Sequence, residues 1–365
     1  MRPRVAAVVE SCWHRVPGGT ATSTMRSLHA VRARGRHDVV GLAARHAEPP
    51  VLDEVGDLPV EHLPLPRPLL YEAWHRLRRP RFTRRIGPVD LIHATGGVIP
   101  PGSAPIVATI HDLAFVHTPE HFTPRLVRFM TRGFEIARDE AALIAVPSEA
   151  TAADCETHGV ERERLRIVPW GATRTEVDDA ARRRARELLD LPDRFALFLG
   201  TLEPRKNVAR LLDAHAAAAP DLPLLIAGPD GWGVDGARLF DETAHGDARH
   251  IGHIAPDLLP AVLDLAAVLA YPSLMEGFGM PVLEAMAQGT AAITSASTAT
   301  AEVAGDTGVL VDPLDTVAIG EALASVRDDP AVWEAHGRAG AERAARFTWD
   351  ATGAALSAVY DEAVA

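Results

Sequence analysis

The sequence predicts an α/β protein built from two parallel, doubly wound sheets. Three observations carry that expectation. A chain of 365 residues is long for one hydrophobic core and suggests two domains. Short apolar runs of strand length alternate with helix-length segments in both halves, the pattern of parallel sheets covered by helices on both faces. The charge also divides. Residues 1–170 hold 22 Arg and 19 acidic groups, net +3, whereas residues 171–365 hold 15 basic and 30 acidic groups, net −15. Such asymmetry fits two domains with different partners.

Composition excludes several classes. The acidic second half argues against general nucleic-acid binding. No run approaches the roughly 18–20 apolar residues of a membrane span. The N-terminal segment reads as a first strand and not a signal peptide, because Glu10 and Trp13-His14-Arg15 stand where a cleavage site would be. Two cysteines, Cys12 and Cys155, form neither a disulfide framework nor a metal-ligand pattern, which fits a reducing, cytoplasmic location.

Along the chain, residues 4–10 read as a buried strand, followed by a loop with Pro17-Gly18-Gly19 and a helix over 20–34. That unit is not G-x-G-x-x-G, so no dinucleotide fingerprint is present. Strands are expected at 38–43, 89–94, 106–110 and 143–146, with an amphipathic helix over 125–139. Residues 47–70 are Pro-rich and read as irregular. The first half closes at residue 171, and the linker falls near 171–180. Alternation resumes with strands at 195–199, 224–227, 250–252, 268–271, 291–294 and 309–311, and a helix over 208–219. The tail, 332–363, is almost all helix.

Every chemically suggestive stretch sits just after a predicted strand, where open α/β sheets bind their ligands. The most informative is Ser273 to Gly289, SLMEGFGMPVLEAMAQG. Two carboxylates, Glu276 and Glu284, flank Gly277-Phe278-Gly279-Met280-Pro281, after which Val282 onward reads as a helix stopped by Gly289. Pro281 is tolerated at a first helical position. Residues 277–282 are therefore expected to present backbone N–H groups at a helix N-terminus, which favours anions. The plainer reading is a Gly-rich turn with two solvated glutamates.

The second stretch is Gly200-Thr201-Leu202-Glu203-Pro204-Arg205-Lys206-Asn207. Of 37 basic residues, 36 are Arg and Lys206 is the one Lys, which suggests a position that needs a compact ammonium. Two cations at a helix start oppose the helix dipole, and a bound diphosphate would account for them. A solvated basic turn is the alternative. No Asp-x-Asp and no His/Cys cluster at ligand spacing is visible, so no metal and no cofactor is expected.

These residues carry a resemblance. Glu276 and Glu284 with Gly-Phe-Gly-Met-Pro between them look like the E-x7-E motif of retaining GT-B glycosyltransferases of family 4, and the 200–207 string is similar to that family's diphosphate-binding element. Thr109-Ile110-His111-Asp112 resembles its His-Asp pair, with Pro119-Glu120 and Phe122 downstream, and Gly18-Gly19 its glycine pair. Gly252-His253-Ile254 resembles the segment that contacts the base. Thr300-Ala301-Glu302-Val303 departs from the usual Leu-Pro-Glu-Val by lacking the Pro. The resemblance is strong over 195–312, moderate over 105–171 and weak over 44–90, where acceptors are usually chosen.

The resemblance implies the GT-B fold, two Rossmann-like domains facing across a cleft. The N-terminal domain would span 1–171, the donor-binding domain 172–346, and a last helix, about 347–365, would cross back to the first. It implies a retaining hexosyltransferase using a nucleotide-diphosphate sugar, with GDP-mannose favoured over a UDP-sugar, and a saccharide, lipid-linked or small-molecule acceptor. Arg205 and Lys206 would hold the diphosphate and stabilise the leaving group. Glu276 would bind donor-sugar hydroxyls, and Glu284 the ribose. Gly279, Met280 and Val282 would donate N–H groups, Ile254 would lie at the base, and His111 would contact the transferred sugar. Rival readings are a GT-B epimerase or phosphorylase and a non-catalytic GT-B binding protein. The lack of a lysine beyond Lys206 argues against a pyridoxal-phosphate phosphorylase.

Residues 67–85 carry seven Arg around Leu69, Leu70, Trp74, Leu77 and Phe82. This run suits either a peripheral contact with anionic lipid at the inner membrane face or an ordinary Arg-rich surface.

Overall fold

In the computed structural model, which describes residues 2–14, 17–231, 239–240 and 246–365, the apolar runs of the first half assemble into a seven-stranded parallel sheet. Its strands are β1 (Arg4–Val8), β2 (Asp38–Ala43), β3 (Val60–His62), β4 (Leu91–Ala94), β5 (Ile106–Thr109), β6 (Leu143–Val146) and β7 (Leu165–Ile167). Their spatial order is β3-β2-β1-β4-β5-β6-β7. Central strands such as LIHA and LIAV are buried along their whole length, as expected where helices cover both faces.

Two strands lie in stretches whose sequence does not announce them. β3 falls inside the Pro-rich segment read as irregular, and pairs with β2 from Gly41↔Val60 to Ala43↔His62. Among the described residues, β7 pairs only with β6. Both are three-residue edge strands, held by backbone pairing on one side, so neither needs an extended apolar run.

The helix Gly18–Ala33 buries Ala21, Met25, Leu28 and Val31 on one stripe. The helices Pro124–Glu140 and Glu149–Thr157 begin on side-chain caps: Thr123 accepts from the Leu126 N–H and Ser148 from the Thr151 N–H. Within residues 67–85, Leu70, Trp74 and Phe82 are almost fully buried, each about 1% exposed, and the Trp74 indole donates to the Pro80 carbonyl at 3.0 Å. Leu69 and Leu77 remain exposed, beside exposed Arg76, Arg79, Arg81, Arg84 and Arg85.

The second half builds a six-stranded parallel sheet from β8 (Ala196–Leu199), β9 (Leu224–Ala227), β10 (Ala248–Gly252), β11 (Val268–Tyr271), β12 (Ala291–Ser295) and β13 (Val309–Val311). Their order is β10-β9-β8-β11-β12-β13. Fully buried Phe195, Phe198 and Tyr271 anchor its core. The stretch 171–194 contains the helix Asp179–Leu189, capped by Asp178 and burying only Ala185. With one buried position there is no apolar stripe to read, which is why its sequence looks like a linker.

The chain divides into two compact units. One comprises Met1–Pro119, Thr123–Gly171 and Trp349–Ala365, the other Glu120–Phe122 and Ala172–Thr348. The helical tail is two helices, Pro330–Ala344 and Trp349–Val364, separated by the Phe347-Thr348 break. The last helix packs along Gly18–Ala33 within the first unit. There Tyr360, fully buried, stands edge-on to His37 and His93, and its hydroxyl meets Nδ1 of His93 at 2.6 Å. The other nitrogen of His93 meets Oγ1 of Thr109 at 2.8 Å, so both ring nitrogens are satisfied, and burial pushes its pKa down to about 3. Tyr360→Phe should lower stability by about 1–3 kcal/mol by orphaning Nδ1. Tyr360→Ala should lower it by about 3–5 kcal/mol through the cavity it leaves. Urea unfolding midpoints of the two variants check this order.

Candidate active site

The strand order of the second sheet reverses between β8 and β11, so the crevice beyond their carboxyl ends is where a ligand is expected. The loop after β8 brings Glu203, Arg205 and Lys206 to that edge, in a short 3-10 turn over Pro204–Lys206. The loop after β11 brings Ser273 and Glu276. Backbone bonds lock the two loops together: the Leu274 N–H donates to the Arg205 carbonyl at 2.8 Å, and the Ser273 hydroxyl reaches the same carbonyl at 3.0 Å.

Glu276 is the hub. Its Oε1 accepts from Lys206 Nζ at 2.5 Å, from the Ser273 hydroxyl at 2.7 Å and from the Tyr271 hydroxyl at 2.9 Å. Among the described residues, its Oε2 has only a long contact with Arg205, 3.4 Å. Arg205 also pairs with Glu203 at 2.8 Å and donates to the Met275 carbonyl at 3.2 Å. Side chains of Lys206 and Glu276 are each 9% exposed, so this is a buried ion pair. Burial opposes ionisation of Glu276, but Lys206 and Arg205 outweigh it and hold the carboxyl down at about 2. Burial pushes the Lys206 ammonium below its ordinary value against the pull of Glu276, and pushes Glu203 upward against Arg205 and Lys206. The cations at this helix start are thus already opposed by two carboxylates, a compensation that the dipole argument from sequence leaves out.

Asn207, in the left-handed region at φ 62°, turns the chain from this cluster into the helix Val208–Ala218. Its amide donates to the carbonyls of Pro272 and Pro313 at 2.9 and 2.7 Å.

The helix Met280–Gln288 starts beside the hub, with Pro281 in its first turn. Gly279 caps it at φ 102°, and a Cβ there would lie 2.6 Å from Cγ2 of Thr300, so no larger residue fits. Thr300 is itself fixed by Thr294 and Thr298, with hydroxyl contacts of 2.8 and 2.7 Å. The Thr300-Ala301-Glu302-Val303 segment, which lacks the family's Pro, forms the short helix Ala299–Ala304. Val282 differs from the sequence expectation. Its N–H donates to the Gly279 carbonyl at 3.0 Å, because the cap turns that carbonyl inward, and it is not free for a ligand. Phe278 is buried, with its ring 6.1 Å from that of Phe347. Glu284 lies half-buried on the helix. Beyond β10, Ile254 is buried and His253 exposed.

In the first unit, His111 follows β5. Its Nε2 meets the Thr95 carbonyl at 2.8 Å, which puts the proton on that nitrogen. Nδ1, buried, has no hydrogen-bond partner among the described residues. Burial pushes its pKa down, with the Thr95 carbonyl and Asp112 opposing, so a neutral imidazole is favoured. The ring stands 5.3 Å from that of Trp170, in a cavity that Ser23, Thr24, Ser27 and His93 also line. Gly18 and Gly19 open the helix Gly18–Ala33, Gly18 at φ 62°, with open space where a Cβ would stand. Arg15 and Val16, in the loop before them, lie outside the described residues.

Known proteins are similar to this chain in sequence and in fold. The family model "Glycosyltransferase Family 4" matches residues 17–174, and "Glycosyl transferases group 1" matches residues 179–344. The O-antigen chain mannosyltransferase B of Escherichia coli is 31% identical over 307 residues, 78% of each chain. The chain belongs to the family 4 glycosyltransferases. Another relative of this glycosyltransferase is the D-inositol 3-phosphate glycosyltransferase of Corynebacterium glutamicum (strain R), 30% identical over 72% of this chain and 67% of that protein. Among solved structures, sucrose-phosphate synthase from Thermosynechococcus elongatus superposes with a TM-score of 0.78 at 23% identity, over 99% of both chains. Anabaena HepE in complex with UDP and glucose superposes with a TM-score of 0.76 at 18% identity, over 99% of this chain and 100% of that chain. The fold of the glycosyltransferase is therefore GT-B, and the protein is a hexosyltransferase.

Sequence reasoning passed over Glu203, Tyr271 and Ser273, which complete the hub. Tyr271 carried a usable signal: a Tyr closing a buried apolar strand needs a partner for its hydroxyl. The buried pair also makes a stability prediction for this glycosyltransferase. Glu276→Gln removes the carboxylate that pairs directly with buried Lys206 and should cost about 3–5 kcal/mol, and adding Lys206→Met should recover most of it. The Glu276 carboxyl titrates below its ordinary 4.5 in the folded state, so the stability it contributes is complete above that pH and is lost as the pH falls toward about 2. Urea midpoints across pH should lose this acid limb in the double variant.

Proposed function

We propose that this glycosyltransferase moves a hexose from a nucleotide-diphosphate sugar to a saccharide, lipid-linked or small-molecule acceptor, with retention of configuration and without a metal ion in the transfer step. The observation that carries the donor side is the state of Glu276: ionised and pinned through Oε1 by three donors, it keeps Oε2 nearly unengaged at the reversal point of the sheet. A fixed carboxylate oxygen of that kind suits a sugar hydroxyl. Arg205 and Lys206, together with the N–H groups of Gly279 and Met280, suit the diphosphate and the charge that develops on it as the glycosidic bond breaks. Glu284 suits the ribose, Ile254 the base and His111 the transferred sugar. Val282 contributes packing and no N–H.

GDP-mannose is the favoured donor, supported by the mannosyltransferase relative at 31% identity. A UDP-sugar is the second reading of the donor, and a small phosphorylated cyclitol is a second reading of the acceptor, favoured by the D-inositol 3-phosphate glycosyltransferase relative.

The deciding experiment is thermal stabilisation by GDP, UDP, ADP and dTDP at matched concentration, without added metal. One nucleotide at about 100 times its dissociation constant should add roughly 2.7 kcal/mol. Lys206→Ala should abolish that gain and lower turnover by about 10²-fold or more. Equal behaviour of variant and wild type would remove the role given to Lys206.

No helix among the described residues is long and apolar enough to cross a membrane. A peripheral contact through residues 67–85 is proposed on a narrower basis than the sequence offers, since Trp74 and Phe82 are buried. Exposed Leu69 and Leu77 with five exposed arginines remain. Co-sedimentation with anionic vesicles should fall on adding salt, and on Leu69→Ser with Leu77→Ser. No binding at low salt would end the proposal.

A further inference from the structure

In the first unit, three side chains outside the site described above converge on one point. His117 ends the short helix Ala114–His117, which begins three residues after His111. Asp154 lies in the helix Glu149–Thr157, and His158 caps its end. Asp154 and His158 are four residues apart, the spacing that sets two ligands on one face of a helix. The Nε2 of His117 lies 2.7 Å from Oδ1 of Asp154, and Nδ1 of His158 lies 3.2 Å from the same oxygen. The two imidazole rings stand 5.3 Å apart and nearly perpendicular. One ligand atom from each residue lies within 4.8 Å of both others.

The geometry points to a divalent transition-metal site formed by His117, Asp154 and His158, of the chemical class that zinc fills. In the metal-free arrangement, the Nε2–H of His117 points at the Asp154 carboxylate and the Nδ1–H of His158 at the Asp154 carbonyl. With the ion bound, each ring carries its one proton on its other nitrogen and coordinates as a neutral imidazole through the freed lone pair. Ligand distances of about 2.0–2.2 Å place donor atoms roughly 3.3 Å apart around a tetrahedral ion, a small widening of the 2.7 and 3.2 Å separations that side-chain rotation can supply. To use Nδ1, His158 must give up its 2.8 Å bond to the Asp154 carbonyl. Two imidazoles and one carboxylate favour zinc, cobalt or nickel over magnesium or calcium, which prefer all-oxygen shells. His117 is 43% exposed on its side chain, so water can reach the ion and complete its shell. None of the three residues belongs to the proposed donor site. The ion would act as a clip between the segment that carries His111 and the helix Glu149–Thr157, and would take no part in transfer.

The test is titration of the chelator-treated, full-length protein with Co2+, whose visible absorption reports a low-symmetry nitrogen and oxygen shell, followed by displacement with Zn2+. The expected result is saturable binding of one ion per chain, and a melting point raised by Zn2+ but not by Mg2+. Two variants guard against misfolding. His117→Ala removes an exposed ligand, and Asp154→Asn keeps the planar shape of the side chain and one oxygen able to accept from His117. With metal-free melting points near wild type, each should weaken binding by at least tenfold. Absence of one-equivalent binding, wild-type affinity in both variants, or equal stabilisation by Mg2+ would overturn the site.

Discussion

A single carboxylate oxygen holds the reversal point of the second sheet in shape. Oε1 of Glu276 gathers the ammonium of Lys206 from the loop after β8 and the hydroxyls of Tyr271 and Ser273 from the end of β11. Charge alone would not justify the arrangement, since removing two charges from water offsets much of their attraction. Its value is geometric. With Oε1 of Glu276 held by three donors, the cluster leaves the loops few alternatives, and the helix Met280–Gln288 begins at a defined place next to it. The tight fit of Gly279 against Thr300 fixes the same helix start from the other side.

Much of this was legible in the sequence, for physical reasons that differ by region. Strands buried on both faces must be apolar throughout, so β2, β6, β9 and β11 can be bounded closely from residue type alone. Edge strands β3 and β7 and the sparsely buried helix Asp179–Leu189 carry no such demand and leave little trace. At the site, the Glu276, Glu284 and Arg205-Lys206 pattern was plain, because unusual residue types in fixed order are rare. The partners that hold Glu276 were not: Tyr271 and Ser273 act through hydroxyls that look ordinary beside an apolar run. The availability of individual N–H groups was also hidden, since Val282 is engaged only because Gly279 turns its carbonyl inward.

The histidines show why residue type without environment says little. His93 is a satisfied core residue between Tyr360 and Thr109, whereas His111, two residues beyond Thr109, keeps a buried nitrogen without an acceptor or donor among the described residues. Both are pushed toward the neutral form by burial, and only the geometry separates them.

The first unit is assembled from distant parts of the chain, with residues 172–348 between its sheet and the helix Trp349–Val364 that covers it. During synthesis, the whole second unit therefore leaves the ribosome before the first can be finished. Until then the part of the core that Leu356, Val359 and Tyr360 close against Gly18–Ala33 and the first sheet waits open. The second unit, contiguous but for three residues, can close on itself earlier. The order in which the two halves mature is thus the reverse of the order in which they are begun.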